Sequence, residues 1–429
     1  MNVVVVGGGV AGIVAALDCA AAGAAVTLVE VRPRLGGAAY SVERDGIWLD
    51  NGQHVFLRCC TSYRELLAKL GSAELVELQE RLEIAVLSPA RPAATLRRSG
   101  ARPPLHLART LLRYPHLSLG ERVSAGRAAL ALGRVGADDS RTFGSWLAEH
   151  GQSDRAIAAL WDLIALPTLN LRAAEASLAL GAFVFQEGLL KDAAAGDIGL
   201  HVAPLQQIIG DPAARALAEA GVTVHTRWPA QRVTTIGGRF AVVGGGSWLG
   251  ADAVIVAVPH DRAAEMLPPA ALRGAAWPGA LRSSPIVNVH VVYDRRVLPH
   301  RFAAGVATPV QYVFDRTPAG WGQRQYIAVS LSAAREEMGM GTAALRERYL
   351  AALAQLLPAA ASARVEHFSA TKEHAATFRA VPGTAALRPP AATALPGLAL
   401  AGAWTATGWP ATLEGAARSG HAAAAAVLA

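Results

Sequence analysis

Cysteine is scarce in this 429-residue sequence, and so is lysine. The three cysteines, Cys19, Cys59 and Cys60, form no C-x-x-C motif, and an odd count with two adjacent members excludes a regular disulfide framework. We therefore expect a reducing, cytoplasmic location, and we predict no metal site. Charged residues make up 17% of the chain and hydrophobic residues 52%, a composition that excludes disorder. The length predicts two domains or slightly more.

Acidic residues are also in the minority, with 33 against 40 basic residues and a formal net charge of +7. A positive net charge favours binding to an anionic membrane surface or to nucleic acid. No nucleic-acid motif is present, so nucleic acid is the less favoured partner. Residues 2–29 are strongly apolar, but no Lys or Arg precedes them and three glycines follow a run of valines. A strand and a tight turn explain this pattern better than an export signal or a transmembrane segment, and we expect neither.

A glycine-rich turn at residues 7–12 lies between a valine run that predicts a buried strand and a predicted helix over Ile13–Ala22. The glycines of such a G-x-G-x-x-G turn allow the tight turn, the approach of a pyrophosphate and close helix packing. The helix N-terminus adds free N–H groups for phosphate. Glu30 ends the next predicted strand, where its carboxylate can accept hydrogen bonds from ribose hydroxyls. The predicted dinucleotide contacts are Gly7, Gly9, Val10, Ala11, Gly12 and Glu30.

The segment Glu30–Gly37 follows the pattern E-x-R-x-R-x-G-G. It resembles the FAD-dependent superfamily that includes amine oxidases and phytoene desaturases, which implies FAD as the cofactor. The resemblance adds contacts at Val31, Arg32, Arg34, Gly36 and Gly37. The alternative for Arg32 and Arg34 is solvated loop charge. That superfamily often has Arg or Lys after the paired glycines, and Ala38 stands there in this chain.

Two further segments continue this resemblance. The run Asp50–His54 matches a segment that passes close to the flavin ring, where glycine permits near contact. Residues 400–416 read as a strand, a glycine-containing loop and a helix start, whose N-terminus can stabilise charge on reduced flavin. An acidic residue usually follows the first glycine of this loop, but Ala403 stands there. The added FAD contacts are Asn51, Gly52, Gln53, His54, Val233, Gly402, Thr405, Pro410, Thr412 and Leu413.

A second glycine cluster, Gly244–Gly246 with Gly250, resembles the glycine pattern of an NADPH-binding site. A predicted strand follows it instead of a helix, so no helix N-terminus is available for phosphate, and a β-hairpin turn is the better interpretation. Without a second dinucleotide site, NAD(P)H would have to visit the flavin transiently, or an external partner would have to reduce it.

Within that superfamily, the chain resembles most specifically the hydroxysqualene dehydroxylases, which are squalene-associated FAD-dependent desaturases. The segments that show this resemblance are Asp50–Leu57, Ser284–His290, Pro309–Arg316 and Thr407–Gly420. The resemblance implies reduction of hydroxysqualene, a C30 isoprenoid, to squalene in hopanoid or related triterpenoid synthesis. The alternatives are a carotenoid-type polyprenyl desaturase and a flavin-binding partner protein without turnover.

Dehydroxylation needs a proton donor, because an allylic hydroxyl must be protonated before it leaves as water. His54 and Glu414 are the two candidates for this catalytic role. Each has a structural alternative, as a hydrogen-bonded histidine and as a helix-start carboxylate.

The predicted fold is α/β, with a discontinuous Rossmann-like FAD-binding domain and an α+β substrate domain containing a mixed sheet and a helical subdomain. Residues 1–60, 201–270 and 386–429 form the first domain, and residues 61–200 and 271–385 form the second. The part 61–200 reads as mostly helical.

Residues 97–113 carry five arginines, interleaved leucines and no acidic residue. This predicts peripheral contact with a membrane, from which an insoluble hydrocarbon substrate must be drawn. A solvated helix and loop is the alternative. The five arginines are Arg97, Arg98, Arg102, Arg109 and Arg113.

Overall fold

The structure is a computed structural model that describes residues 1–137 and 139–429. Its strands, in chain order, are β1 (Asn2–Val6), β2 (Ala25–Val29), β3 (Ser41–Arg44), β4 (Ile47–Asp50), β5 (Val55–Leu57), β6 (Val76–Leu78), β7 (Glu83–Leu87), β8 (Ala94–Arg97), β9 (Ile198–His201), β10 (Thr223–His225), β11 (Ala230–Ile236), β12 (Arg239–Gly244), β13 (Ser247–Ala251), β14 (Ala253–Val256), β15 (Ser283–Tyr293), β16 (Phe302–Gly305), β17 (Tyr312–Asp315), β18 (Gln325–Ser332), β19 (Val365–Phe378) and β20 (Leu398–Leu400).

The helices fall mainly between the strands and in the region 105–190. They are α1 (Val10–Ala21), α2 (Thr61–Lys69), α3 (Ala108–Arg113), α4 (Leu119–Leu132), α5 (Phe143–Glu149), α6 (Asp154–Ala156), α7 (Asp162–Leu169), α8 (Leu178–Phe185), α9 (Asp211–Glu219), α10 (His260–Met266), α11 (Arg335–Gly339), α12 (Thr342–Leu356), α13 (Thr384–Leu387) and α14 (Leu413–Leu428). A π-helical turn, Ile157–Trp161, joins α6 to α7.

A parallel sheet with the strand order β10-β2-β1-β14-β20 forms the centre of the nucleotide-binding half. The valines of β1 alternate between two cores. Val3 and Val5 pack in the same buried cluster as residues of α1 and α14, while Val4 and Val6 join the cluster that contains β11 and β12. Because both faces of this sheet are covered at its centre, β1, β14 and β20 are almost continuously apolar, as the sequence predicts. The edge strand β10 has the sequence Thr-Val-His and exposed ends. These strands come from the three segments assigned above to the FAD-binding domain.

The hairpin prediction at the second glycine cluster is confirmed. β12 and β13 pair antiparallel with Gly244 opposite Ser247, and the two intervening glycines both have positive φ angles of 56° and 76°. This is the conformation of a two-residue hairpin turn. β13 was not predicted, since its sequence SWLGA has neither clear alternation nor a β-branched run.

A mixed sheet with the order β19-β15-β18-β17-β16-β7-β8 builds the other half, and β16 and β7 are its parallel pair. The predicted mixed sheet is therefore confirmed. The prediction that residues 61–200 are mostly helical is only partly right, because β7 and β8 join this sheet and β6 and β9 pair with each other. These strands are three to five residues long, too short for a clear period of two. Among the described residues, none of the helices has the length and apolar character needed to cross a bilayer.

Candidate functional site

Two glycine segments pack backbone against backbone at the start of α1. Gly9 and Gly36 form a parallel bridge, and a Cβ on Gly37, whose φ is +59°, would lie 2.6 Å from the Cα atom of Gly9. A Cβ on Gly12 would lie 1.9 Å from the carbonyl oxygen of Gly7. No side chain within the described part of the chain caps the N-terminus of α1, so its first N–H groups remain available to an anion. The backbone of the predicted pyrophosphate cradle thus leaves no room for a side chain at Gly12 or Gly37.

The Glu30 carboxylate lies beside this cradle and is almost fully buried. It accepts hydrogen bonds from the N–H groups of Gly8, at 2.7 Å, and Arg32, at 2.8 Å. A carboxylate offers about four acceptor sites, so these two bonds orient it and leave acceptor capacity for a ribose. The side chains of Val31 and Arg32 are exposed, which leaves their backbone as the part nearest the site. Val233 is buried within β11.

Two of the buried donors that have no partner among the described residues belong to the predicted FAD contacts: Nη1 of Arg34 and Nε2 of Gln53. The Arg34 guanidinium lies 3.5 Å from the centroid of the Tyr40 ring, and burial lowers the pKa of this guanidinium. A buried unpaired donor costs about 1–3 kcal/mol, so such groups in a native protein indicate a missing acceptor. The phosphate and carbonyl oxygens of FAD are acceptors of the required kind. The residues present therefore fit this cofactor.

Asn51 joins the glycine loop to the mixed sheet. Its Nδ2 donates to the carbonyl oxygen of Ala38 at 2.9 Å, and its Oδ1 accepts from the N–H of Tyr40 at 3.0 Å. Its own carbonyl oxygen accepts from Nδ2 of Asn288 in β15, at 2.8 Å. This side chain is therefore committed to protein contacts, and its predicted role toward FAD remains a prediction.

Asp50 fixes the start of the same segment. It accepts a hydrogen bond from Ser41 Oγ at 2.6 Å and pairs with Nη2 of Arg316 at 2.6 Å. Arg316 also donates to the carbonyl oxygens of His201 and Ala203. The pairing of Arg316 with Asp50 could not be predicted from local patterns, since the two residues are 266 positions apart.

His54 is held through its backbone. Its carbonyl oxygen contacts Nδ1 of His201 at 2.7 Å, and Nε2 of His201 contacts the hydroxyl of Tyr63 at 2.7 Å. Burial lowers the pKa of His201 to about 3. Burial also lowers the pKa of the His54 ring, although the charges of Asp50 and Glu373 oppose this. A neutral imidazole is a poor source of protons at neutral pH, and the catalytic role of His54 remains a prediction.

Glu414, the other predicted donor, is a buried helix cap. Its carboxylate accepts from the N–H groups of Ser62, at 3.2 Å, and Tyr63, at 2.8 Å, at the N-terminus of α2, and it pairs with Arg418 at 2.6 Å. These contacts give Glu414 a structural role at the start of α2 and not at the start of its own helix. Its catalytic role remains a prediction.

The C-terminal loop is organised by a buried arginine that sequence reasoning missed. Arg388 donates to the carbonyl oxygens of Ala403, at 3.2 Å, and Thr405, and to Oγ1 of Thr407 at 3.2 Å. Burial lowers the pKa of Arg388 to about 10. The cation thus holds the loop at the position where the resembling proteins carry an acid and this chain carries Ala403.

The helix after this loop begins at Leu413. Its N-cap is Thr412, whose Oγ1 accepts from the N–H of Gly415 at 3.1 Å, and Pro410 precedes the cap. Gly402, with a φ of +147°, donates its N–H to Ser419 Oγ at 2.8 Å. Thr405 is buried and donates to the carbonyl oxygen of Gly402 at 3.0 Å. The loop is therefore tied to the side of α14.

Comparisons with known proteins cover nearly the whole chain. Residues 10–428 match the family described as flavin containing amine oxidoreductase. A hydroxysqualene dehydroxylase of Rhodopseudomonas palustris is 29% identical over 99% of this chain and 98% of its own length. One from Sinorhizobium fredii is 27% identical, covering 99% of this chain and 97% of its own length.

A zeta-carotene desaturase of Synechocystis is 24% identical over 100% of this chain and 97% of its own length. Among solved structures, a putrescine oxidase variant superposes with a TM-score of 0.74 at 19% identity, covering 100% of this chain and 98% of that one. The structural likeness supports the predicted fold class.

Proposed function

The chain belongs to the flavin-containing amine oxidoreductase family and is an FAD-dependent oxidoreductase, and from this premise we propose that it reduces hydroxysqualene to squalene in triterpenoid synthesis. The observation that carries the proposal is the similarity to hydroxysqualene dehydroxylases along nearly the full length of both chains. Such coverage includes the substrate half, whereas the nucleotide-binding motifs alone are shared by many flavoenzymes.

FAD would be held by the glycine cradle at the N-terminus of α1, by Glu30 at its ribose and by the unpaired donors of Arg34 and Gln53. When bound and reduced, FAD supplies the hydride, and an external two-electron donor such as NAD(P)H restores it. The tasks left to the protein are to bind an apolar chain, to exclude water and to deliver one proton to the allylic oxygen.

The similarity to a zeta-carotene desaturase supports a second candidate, an oxidative polyprenyl desaturase. The two reactions need opposite redox states of the flavin. Anaerobic incubations with hydroxysqualene and with phytoene, each with oxidised and with reduced flavin, therefore separate them.

The products of these incubations are identified by mass spectrometry. We expect squalene only from hydroxysqualene and only with reduced flavin. A dehydrogenated product from phytoene with oxidised flavin would favour the desaturase. No product in any arm would favour a flavin-binding partner protein without turnover.

We also propose that the enzyme draws its substrate from a membrane through the segment 97–113. Leu105 and Leu112 are 67% and 62% exposed, and exposed Leu119, Val123 and Leu130 on the neighbouring α4 extend the apolar surface. Of the five arginines, Arg97 pairs with Glu83 at 3.1 Å and Arg98 with buried Asp197 at 2.5 Å. The arginines left exposed toward an anionic surface are Arg102, Arg109 and Arg113.

Basic residues near an anionic surface contribute about 1 kcal/mol each, so these three contribute about 3 kcal/mol. Changing all three to Gln should reduce flotation with anionic liposomes, while a Leu105→Ser, Leu112→Ser variant should weaken binding to anionic and neutral vesicles alike. Equal flotation of the wild type with neutral and anionic liposomes, or with neither, would refute the proposal.

A further inference from the structure

A glutamate of the mixed sheet lies against the segment that is predicted to pass the flavin. Side chains alternate along β19, so Thr371 and Glu373 share one face, and Lys372 points to the other, where it donates to the carbonyl oxygens of Met338 and Met340. Oε1 of Glu373 accepts from the hydroxyl of Tyr40 at 3.0 Å and from Nδ2 of Asn51 at 3.2 Å. These contacts span more than 320 residues of sequence.

The partners of Glu373 differ from those of Asp50 and Glu414. Asp50 is paired with Arg316, and Glu414 with Arg418 and two backbone N–H groups. Within the described residues, Glu373 forms no ion pair, and its two hydrogen-bond donors are a neutral phenol and a neutral amide. Neutral donors stabilise a carboxylate much less than a guanidinium does. Of these three carboxyl groups, Glu373 is therefore the one that no guanidinium holds by a hydrogen bond.

We propose that Glu373 is the general acid of the dehydroxylation, an inference that rests on the proposed function. Its protonated carboxyl group donates to the oxygen of the allylic hydroxyl. The C–O bond breaks with both electrons going to oxygen, and water leaves. The allylic carbon then accepts the hydride, which forms the new C–H bond and leaves the flavin oxidised. The Glu373 carboxylate regains its proton from solvent.

The position of Glu373 suits this role for two reasons. It is half-buried, and a bound triterpenoid would exclude the remaining water from it. Of the two residues that orient it, Asn51 belongs to a segment expected to contact FAD, and Tyr40 follows another such segment, Glu30–Gly37. The acid would therefore lie on the substrate side of the cofactor, whereas Glu414 is buried against α2.

The test compares Glu373→Gln with wild type in single turnovers of pre-reduced enzyme, with rates expressed per bound flavin. Gln keeps the shape and an acceptor oxygen but has no acidic proton, so squalene formation should fall by ~10²–10⁴-fold. Affinity for hydroxysqualene, measured from the spectral change of oxidised flavin, should stay unchanged. Glu366→Gln, at an exposed position of the same strand, is the matched control and should keep the wild-type rate.

A substrate with a better leaving group separates acid catalysis from a structural role. Acetate departs as a stable anion without protonation, so the acetate ester of hydroxysqualene should be reduced by Glu373→Gln with much less loss than the alcohol. Glu373→Asp, which retains an acid, should recover part of the rate with the alcohol.

A Glu373→Gln rate within a few-fold of wild type, an equal loss with alcohol and ester, or no recovery in Glu373→Asp would overturn the assignment while the proposed function stands. Failure of wild-type enzyme to form squalene would instead overturn the proposed function.

Discussion

Replacing Glu30 by Ala tests how the cradle recognises the cofactor. The carboxylate accepts from two backbone N–H groups, at 2.7 and 2.8 Å, and is placed to accept from ribose as well. A hydrogen bond to a charged group contributes about 1.5–3 kcal/mol, which corresponds to a loss of roughly 10- to 140-fold in the Kd for FAD. The substitution also leaves the buried N–H of Gly8 without its acceptor, which costs the apoprotein about 1–3 kcal/mol.

Two measurements separate these effects. Titration of apoprotein with FAD gives the Kd directly, and urea unfolding with and without FAD gives the cofactor-dependent part of the stability. At a fixed FAD concentration of about 100 times the wild-type Kd, wild type gains about 2.7 kcal/mol from the cofactor and the variant should gain much less. Glu219→Ala, on the exposed end of α9, is the surface control. Unchanged retention of FAD on dilution of Glu30→Ala would refute this reading of the site.

Three further substitutions have distinct expected outcomes. Glu414→Gln should lower the free energy of unfolding by about 1–3 kcal/mol, because it weakens the cap of α2. The variant should keep a near-normal rate per bound flavin, and a loss of ~10²-fold or more in single turnover would instead identify Glu414 as the acid. His54→Ala should likewise turn over within about tenfold of wild type in the same assay, because its neutral ring is not the expected donor; a loss of ~10²–10⁴-fold would contradict this. Asp197→Asn should lower unfolding stability by about 3–5 kcal/mol, measured by urea denaturation at pH 7, because it leaves the mostly buried Arg98 without its carboxylate; a change below about 1 kcal/mol would contradict this.

The Asp197 substitution also predicts a pH dependence. Burial raises the pKa of this carboxyl, but hydrogen bonds from Arg98 and Arg58 outweigh it and leave the pKa below its ordinary value. A lowered pKa stabilises the folded state above the unfolded pKa of about 3.9, and this contribution is lost as the pH falls through the folded value. The difference in unfolding free energy between wild type and Asp197→Asn should therefore be constant near neutral pH and shrink below about pH 4.

Local patterns allowed much of the nucleotide-binding half to be predicted. The glycine turn, the flanking strand and helix, and Glu30 lie within 30 residues, so spacing alone placed them together. The contacts of Asn51, Arg316 and Glu373 could not be predicted this way, since their partners lie between 11 and 333 residues away in the chain. The cap that Glu414 forms on α2 could not be predicted either, because its partners are backbone N–H groups, which every residue except proline has.

The order β10-β2-β1-β14-β20 has a consequence for how this enzyme is made in the cell. β14 gains its outer neighbour only when residues 398–400 are available, and α1 gains its partner only with residues 413–428. At a synthesis rate of about 5–20 residues per second, roughly 20–80 s separate the emergence of β1 from that of β20. Until then the valines of β1 lack some of the residues that pack against them in the two hydrophobic clusters. The nucleotide-binding half therefore completes its folding only after residues 398–428 have left the ribosome.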